Sequence, residues 1–305
     1  MPTNVWGWKN SVRLRVLGAV ASVTRRIRPR GTERLVNLLH HPTRRDGNSI
    51  EAVVPYEGDL LIHVDTSSLI ERAVFFYGSY EPHIISLLKR LLRPGFVVCD
   101  VGANVGCHTL MMAALVRDSG RVLAVEPHPD VYAKLVRNIR LNRLANVDAF
   151  RCALSSACGM STLYAFREDE MNEGISSLSP ASGRPPGVPI TVNVRTLDEL
   201  MGTLNHGRLD VVKVDVEGHE CDVLTGATQS ITRFRPHLVF EYVESIWQRC
   251  GRSFGDVRRL LTDLDYQLYS VEGRTLRPVR ETPPTWTNIL AVPAGVDGSG
   301  LVSNS

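Results

Sequence analysis

The chain has 305 residues, a formal net charge of +3 and 43% hydrophobic residues, enough for one large globular domain with an extension and a sizeable buried core. No apolar run approaches the ~20 residues that a membrane-spanning helix needs. The six cysteines are scattered with no C-x-x-C pair, which argues against a structural zinc site and reads as the reduced thiols of an intracellular, cytoplasmic protein.

Residues 1–60 read as a basic N-terminal extension. Between Met1 and Asp46, ten bases face two acids, which puts +8 there and leaves −5 on the remainder. Val12, Val16, Leu17, Val20 and Val23 make an apolar stripe, with Trp6 and Trp8 ahead of it. A basic amphipathic helix with tryptophans suits peripheral contact with an anionic inner-membrane surface. The plainer alternatives are a helix packed on the domain or a frayed arm. The run Val16–Val23 is short and runs into Arg25-Arg26, unlike a signal peptide.

Residues 61–294 alternate between strand and helix. Glu81 to Leu92 predicts an amphipathic helix with Ile84, Ile85, Leu87, Leu88, Leu91 and Leu92 on its apolar face, ended by Pro94-Gly95. Strand one is Val97–Asp100, and a helix opens near Gly106 and runs through Leu115. Strand two is Arg121–Val125, and Asp130–Leu141 is helical. Strand three lies near Asn146–Ala153, strand four is Val211–Val214 and strand five is His237–Phe240, ending in Glu241. Tyr266–Val271 and Ile289–Val292 close the set. The pattern predicts a Rossmann-like α/β domain, a mostly parallel seven-stranded sheet with helices on both faces. Arg167 to Val188, rich in Ser, Pro and Gly, reads as a mobile loop, either a substrate lid or a plain insertion. Residues 295–305 read as a disordered tail.

Chemistry concentrates where two strands end. Val97-Val98-Cys99-Asp100 runs into Val101-Gly102-Ala103-Asn104-Val105-Gly106, and Val122–Val125 ends in Glu126-Pro127 about twenty residues later. That is the layout of a nucleotide-type crevice at the carboxyl ends of neighbouring parallel strands, with the second acid placed for ribose hydroxyls. The turn departs from G-x-G-x-x-G and starts with a carboxylate, which repels a pyrophosphate and favours a cation. S-adenosylmethionine has an ammonium, a sulfonium and no phosphate; nicotinamide dinucleotides fit less well.

A third segment, Leu209-Asp210-Val211-Val212-Lys213-Val214-Asp215-Val216-Glu217-Gly218-His219-Glu220, is a buried strand ending in acids. Together with Asp100–Gly106 it resembles the FkbM-type methyltransferases. Gly78-Ser79-Tyr80-Glu81, Arg195-Thr196-Leu197-Asp198 and Thr287-Asn288-Ile289-Leu290 look like further landmarks, so the resemblance spans roughly Asp65 to Pro293. It implies a class I methyltransferase that uses S-adenosylmethionine on a hydroxyl of a small molecule, sugar, glycolipid or polyketide-type natural product. It also implies that Asp100, Gly102, Asn104 and Gly106 line the methionine and ribose, that Glu126 binds the ribose hydroxyls and that Pro127 shapes that turn. Glu81, just ahead of the first core strand, can meet the cofactor ammonium. Where many such enzymes place an acid near adenine, this chain reads Ala153-Leu154-Ser155-Ser156, which leaves that contact open.

An alkyl hydroxyl needs a base or a metal to become a good nucleophile. Asp215 and Glu217 alternate along an extended segment, with Lys213 on the same face to neutralise one of them. Either acid can be the general base. Alternatively Asp215 and Glu241 hold a divalent cation. The metal-free route is favoured here, because the sequence offers no dense carboxylate cluster. A structural ion-pair network is the bland account of the same residues. His219 is either a base or the cap of the next helix, and His108 packs or lines the methionine end. Two rivals remain. The basic arm suits a nucleic-acid methyltransferase, but no Asn-Pro-Pro-aromatic motif is present to hold a flipped base, so no nucleic-acid partner is expected. A non-catalytic cofactor-binding module would have no need of Asp100, Glu126 and Asp215 together.

Overall fold

In the computed structural model, residues 12–27, 36, 49–165, 176–178, 188–204 and 206–295 are described. The chain opens with helix α1 (Val12–Ile27), the hairpin β1 (Glu51–Tyr56) and β2 (Leu60–Asp65), then α2 (Leu69–Tyr77) and α3 (Pro82–Leu91). There follow β3 (Val97–Val101), α4 (Cys107–Val116), β4 (Arg121–Val125), α5 (Pro129–Leu141) and β5 (Val147–Phe150). Then come β6 (Ala153–Leu154), β7 (Gly159–Ala165), β8 (Ser176–Ser177), β9 (Val188–Arg195) and α6 (Leu197–Leu204). The last third holds β10 (Val211–Val214), α7 (Glu220–Thr225), α8 (Thr228–Phe234), β11 (His237–Val243), α9 (Glu244–Arg249) and α10 (Phe254–Asp263). It closes with β12 (Tyr266–Glu272), β13 (Thr275–Pro278) and β14 (Trp286–Pro293).

The main sheet runs β13-β12-β14-β11-β10-β3-β4-β5. Strands β5, β4, β3, β10 and β11 are parallel, and β14 is inserted antiparallel between β11 and β12. The sheet is mostly parallel, as expected, but has eight strands rather than seven. The extra one is β13, which folds back on β12 as a short antiparallel edge. Its four residues include a single buried apolar side chain, Leu276, too weak a pattern to mark a strand. Every residue of β3 and of β10 is buried, which is why these central strands read as unbroken apolar runs.

Period-two alternation builds a core on each face. Val98, Val122, Ala124, Val211 and Val239 join one, with α2, α3, α4 and α5 packed over them. Cys99, Val101, Leu123, Val212, Val214 and Phe240 join the other, under α6, α7, α8, Trp247 of α9 and α10. Strand three of the sequence reading divides in two. β5 stays in the main sheet, while β6 starts a separate four-stranded sheet of order β6-β9-β7-β8. Strands β7 and β9 were not expected, and within the expected Arg167–Val188 loop the described residues are 176–178, which include β8, and Val188, where β9 begins. Residues 167–175 and 179–187 lie outside the described residues, as do 296–305 of the expected tail.

The boundary expected at residue 60 falls inside the β1–β2 hairpin, whose register runs from Glu51↔Asp65 to Tyr56↔Leu60. Strand β2 has α5 on its other side, where asparagine amides take the place of a strand. Asn142 accepts from Leu61 N (2.8 Å) and donates to Leu61 O (2.6 Å). Asn138 accepts from His63 N (2.8 Å) and donates to Val105 O (2.9 Å). Helix α1 is docked on α2. Its Leu17, Ala21 and Thr24 are buried, while Val16 and Val23 of the predicted stripe face outward. The helix also closes the end of α2, where carbonyls lack intrahelical partners. Arg25 donates to Val74 O (2.9 Å), Phe75 O (2.8 Å) and Pro55 O (3.0 Å), and Thr24 donates to Phe76 O. Among the described residues, no helix is long and apolar enough to cross a membrane.

Candidate active site

Strand order reverses between β3 and β10, because the chain proceeds from β3 outward to β4 and β5 and only later returns to lay β10 on the other side. Such switch points leave a crevice at the carboxyl ends of the strands. A cavity of about 320 Å³ sits there.

The β3–α4 turn makes one wall. Gly102 has φ +78°, and a Cβ on it would stand 1.9 Å from the Asp215 carbonyl oxygen, so only glycine lets β3 and the end of β10 close together. Gly102 N and Ala103 N both donate to Val125 O at 3.0 Å, which ties the turn to the tip of β4. Glu126 continues β4 and is 6% exposed. Its carboxylate accepts from Asn104 N (3.0 Å) and His128 N (2.9 Å). Burial pushes its pKa up to about 7, against the pull of those two amides. Pro127 follows at the rim.

Asp100 and Gly106 do not line the cavity. Asp100 is fully buried behind it, accepts from Thr109 Oγ1 (2.6 Å), and faces the Lys213 ammonium at 3.5 Å. Gly106 is the N-cap of α4, packed against Leu135. Lys213, 4% exposed, bridges Asp100 and Asp215, whose Oδ2 lies 3.2 Å from its Nζ. Burial pulls the lysine's pKa down, but Asp215, Asp100 and Glu81 together push it above the ordinary value, so it stays an ammonium.

The acids after β10 are side by side, but not on an extended strand. The strand stops at Val214, and Glu217 and Gly218 both have positive φ (54° and 98°). Glu220 explains the turn. Its buried carboxylate accepts from Val216 N (3.0 Å) and Gly218 N (3.1 Å), pulling the chain back on itself. Burial pushes its pKa up to about 8. No role for Glu220 was read from the sequence, although an acid three residues past Glu217 is the signal that was there.

Sheet adjacency then adds an acid from the next strand. Glu241 of β11 comes beside this turn, so that Asp215, Glu217 and Glu241 offer oxygens within 4.8 Å of one another. The carboxylate density missing from the linear sequence is therefore present in three dimensions, and it overturns the reason for setting a metal aside. Burial, then Asp215, raise Glu217 well above the usual carboxylate range and Glu241 to about 7. The Trp286 indole N–H donates to Glu241 at 2.9 Å. Glu81, N-cap of α3 with φ 46°, reaches the same end, and its pKa rises to about 8 through burial and Asp215. Its carboxylate lies 3.7 Å from His108 Nε2. Burial drives the His108 pKa well down, so the ring is neutral. His219 occupies the N-cap of α7 without a side-chain capping bond, 3.7 Å from Asp222, and also lines the cavity.

The far wall is apolar: Cys152, Ala153, Leu154, Leu163 and Leu178. Ala153, Leu154 and Leu163 belong to the second sheet and Leu178 follows its strand β8, and the sequence did not reveal that sheet.

Residues 100–268 match the Methyltransferase FkbM domain. The chain belongs to the FkbM methyltransferase family. The matched stretch holds the β3–α4 turn, Glu126 and the Asp215–Glu217–Glu241 cluster, while Glu81 and Trp286 lie outside it. Methyltransferase 1 of Beauveria bassiana is 30% identical over 162 residues, 48% of this chain and 65% of that protein. The hexuronic acid methyltransferase AglP of Haloferax volcanii is 29% identical over 50% of this chain and 58% of its own length. The 2-O-methyltransferase NoeI of Sinorhizobium fredii is 25% identical over 73% and 84%. The chain thus spans less than two thirds of the length of the first and second of these relatives.

Proposed function

We propose that this FkbM-family chain transfers a methyl group from S-adenosylmethionine to a hydroxyl oxygen of a small molecule, sugar, glycolipid or polyketide-type acceptor. The observation that carries the reading is the division of one switch-point cavity into a nucleoside-type end at Glu126 and an acid-rich end at Asp215, Glu217 and Glu81. AglP and NoeI, named for action on a hexuronic acid and for 2-O-methylation, favour a hydroxyl on a sugar-like acceptor.

The residues suit this donor. Each Glu126 oxygen keeps a lone pair after accepting one backbone N–H, enough for a ribose diol. Gly102 lines the cavity and lets the β3–α4 turn close against the Asp215 carbonyl, which sets the two strand tips side by side. Leu154, Leu163 and Leu178 offer an apolar wall for a base, in place of the acid that the sequence lacks there. Glu81 supplies a carboxylate for an ammonium. Asp100 acts from behind by fixing Lys213, and Gly106 by starting α4. When bound, S-adenosylmethionine supplies a methyl already activated by its sulfonium. The chain's task is then alignment, which can account for about 7–11 kcal/mol of such a barrier. Either Asp215, held by Lys213, or Glu217 serves as the general base that takes the single proton of the acceptor hydroxyl.

The test is calorimetric titration with S-adenosylmethionine and, separately, NADH. Binding of the first alone is expected, weakened at least tenfold by Glu126→Ala. Equal binding by wild type and variant would refute the ribose role, and NADH binding would refute the donor.

A further inference from the structure

The first turn of α4 carries a buried group that the reaction described above leaves unused. Cys107 and His108 open that helix, and both line the cavity. His108 is 4% exposed, and its Nε2 has no hydrogen-bond partner among the described residues. A buried polar atom left in this way costs stability until a ligand completes it. Nε2 faces Glu81, whose Oε2 stands 3.7 Å away, beyond hydrogen-bond reach. Glu81 lines the same cavity, held there as the N-cap of α3 with φ 46°.

Both members of this pair can accept. Burial, then the charges of Lys213 and His83, drive the His108 pKa well down, so the ring is neutral and one of its nitrogens is an acceptor. Burial, then Asp215, raise Glu81 to about 8, with Glu241 and Asp100 adding to the push and Lys213 opposing it. A cation seated beside Glu81 would take over from that proton and leave an accepting carboxylate. Two acceptors 3.7 Å apart suit a nitrogen with several N–H bonds, because one such atom can stand about 2.9 Å from both. A hydroxyl has one hydrogen and serves only one of them.

The same end offers a carboxylate little. Lys213 is the only lysine or arginine among the described residues lining the cavity, and Asp215 at 3.2 Å and Asp100 at 3.5 Å already flank it. Its neighbours on the cavity wall include the acids Glu81, Asp215, Glu217 and Glu241.

We propose that Glu81 and His108 together grip the ammonium at the methionine end of the donor, with the ring proton on Nδ1 and Nε2 accepting, so that this end is recognised by its amino group rather than by its carboxylate. The inference rests on the S-adenosylmethionine reading and adds His108 and a donor specificity to it.

The test is calorimetric titration of the full chain with three ligands that share the thioether nucleoside. S-adenosylhomocysteine carries both the amino group and the carboxylate, its decarboxylated form carries the amino group alone, and 5′-methylthioadenosine carries neither. The first two should bind within a few-fold of each other, and the third about thirtyfold more weakly. His108→Leu and Glu81→Gln should each weaken the two amino ligands about tenfold and leave 5′-methylthioadenosine within twofold, with circular dichroism confirming the fold. Equal binding of all three ligands by wild type needs no variant and overturns the clamp while leaving the nucleoside end of the donor reading intact. A decarboxylated ligand as weak as 5′-methylthioadenosine overturns recognition by the amino group. Equal loss of all three ligands in folded His108→Leu makes the histidine structural and overturns its role. Failure of wild type to bind any of the three would sink the donor reading, and the clamp with it.

Discussion

The hairpin layer and the switch-point cavity treat buried polar groups in opposite ways. Around β2 and α1, each amide of Asn138 and Asn142 and the guanidinium of Arg25 meets backbone of matching polarity. In the cavity, carboxylates crowd one another, and among the described residues His108 Nε2 makes no hydrogen bond and faces Glu81 at 3.7 Å. Satisfied polar groups hold a fold together, whereas an uncompensated set costs stability and persists where a ligand completes it. The contrast separates groups that stabilise the apo chain from groups that await an occupant.

The largest effect should come from Gly102→Ala, where the added Cβ meets the Asp215 carbonyl at 1.9 Å and φ is +78°. A loss of about 4 kcal/mol or failure to fold is expected, read by denaturant unfolding. Next is Asn138→Ala, which strands His63 N and Val105 O in buried surroundings. It should cost about 3 kcal/mol while leaving S-adenosylmethionine affinity within a few-fold. Arg25→Ala removes three carbonyl contacts and should cost about 2 kcal/mol, with α1 becoming protease-sensitive. A loss of donor binding in either of these last two variants would break the comparison.

Glu126 offers a pH test. Burial raises its carboxyl from 4.5 to about 7, so the folded chain holds this proton to higher pH than the unfolded chain does. Its contribution is fully present below 4.5 and is lost as pH rises through about 7, a decline of roughly 3 kcal/mol. Glu126→Gln should flatten that decline in a melting-temperature series. The smallest effect sharpens the contrast most. Glu217→Gln, which removes a buried acid from beside Asp215 and Glu241, should stabilise the chain by about 1 kcal/mol. Destabilisation instead would mean that Glu217 is a structural partner.

Much of this was legible in the residues. The strands Arg121–Val125 and Val211–Val214 fall where the apolar runs put them, because buried parallel strands carry their pattern in full. Glu126 and Asp215 line one cavity because strand tips on either side of a switch point must. What stayed hidden depended on distant chain. β9 does alternate, with Ile190, Val192 and Val194 turned in against Thr191 and Asn193, but its partner β7 buries Leu163 amid polar and small residues, so the pairing left little local sign. Asp100 sits behind Lys213 because Thr109 and the lysine hold it there. Glu217 lies on a turn because Glu220 bends it. The acid cluster exists because sheet order sets β11 beside β10, which no local spacing reveals.

The asparagine ladder on β2 works as a vernier. Two rungs four residues apart on a helix advance about 6.0 Å, while their partners two residues apart on a strand advance about 6.6–6.8 Å. A first pair of rungs absorbs that mismatch, but each further rung would add as much again and soon exceed hydrogen-bonding tolerance. A helix can therefore stand in for a strand only over a short edge, and the six residues of β2 are about as many as one such gauge can serve. Shifting the hairpin by one residue would leave both amides facing the wrong backbone groups, so α5 fixes the hairpin's register as well as sealing its edge.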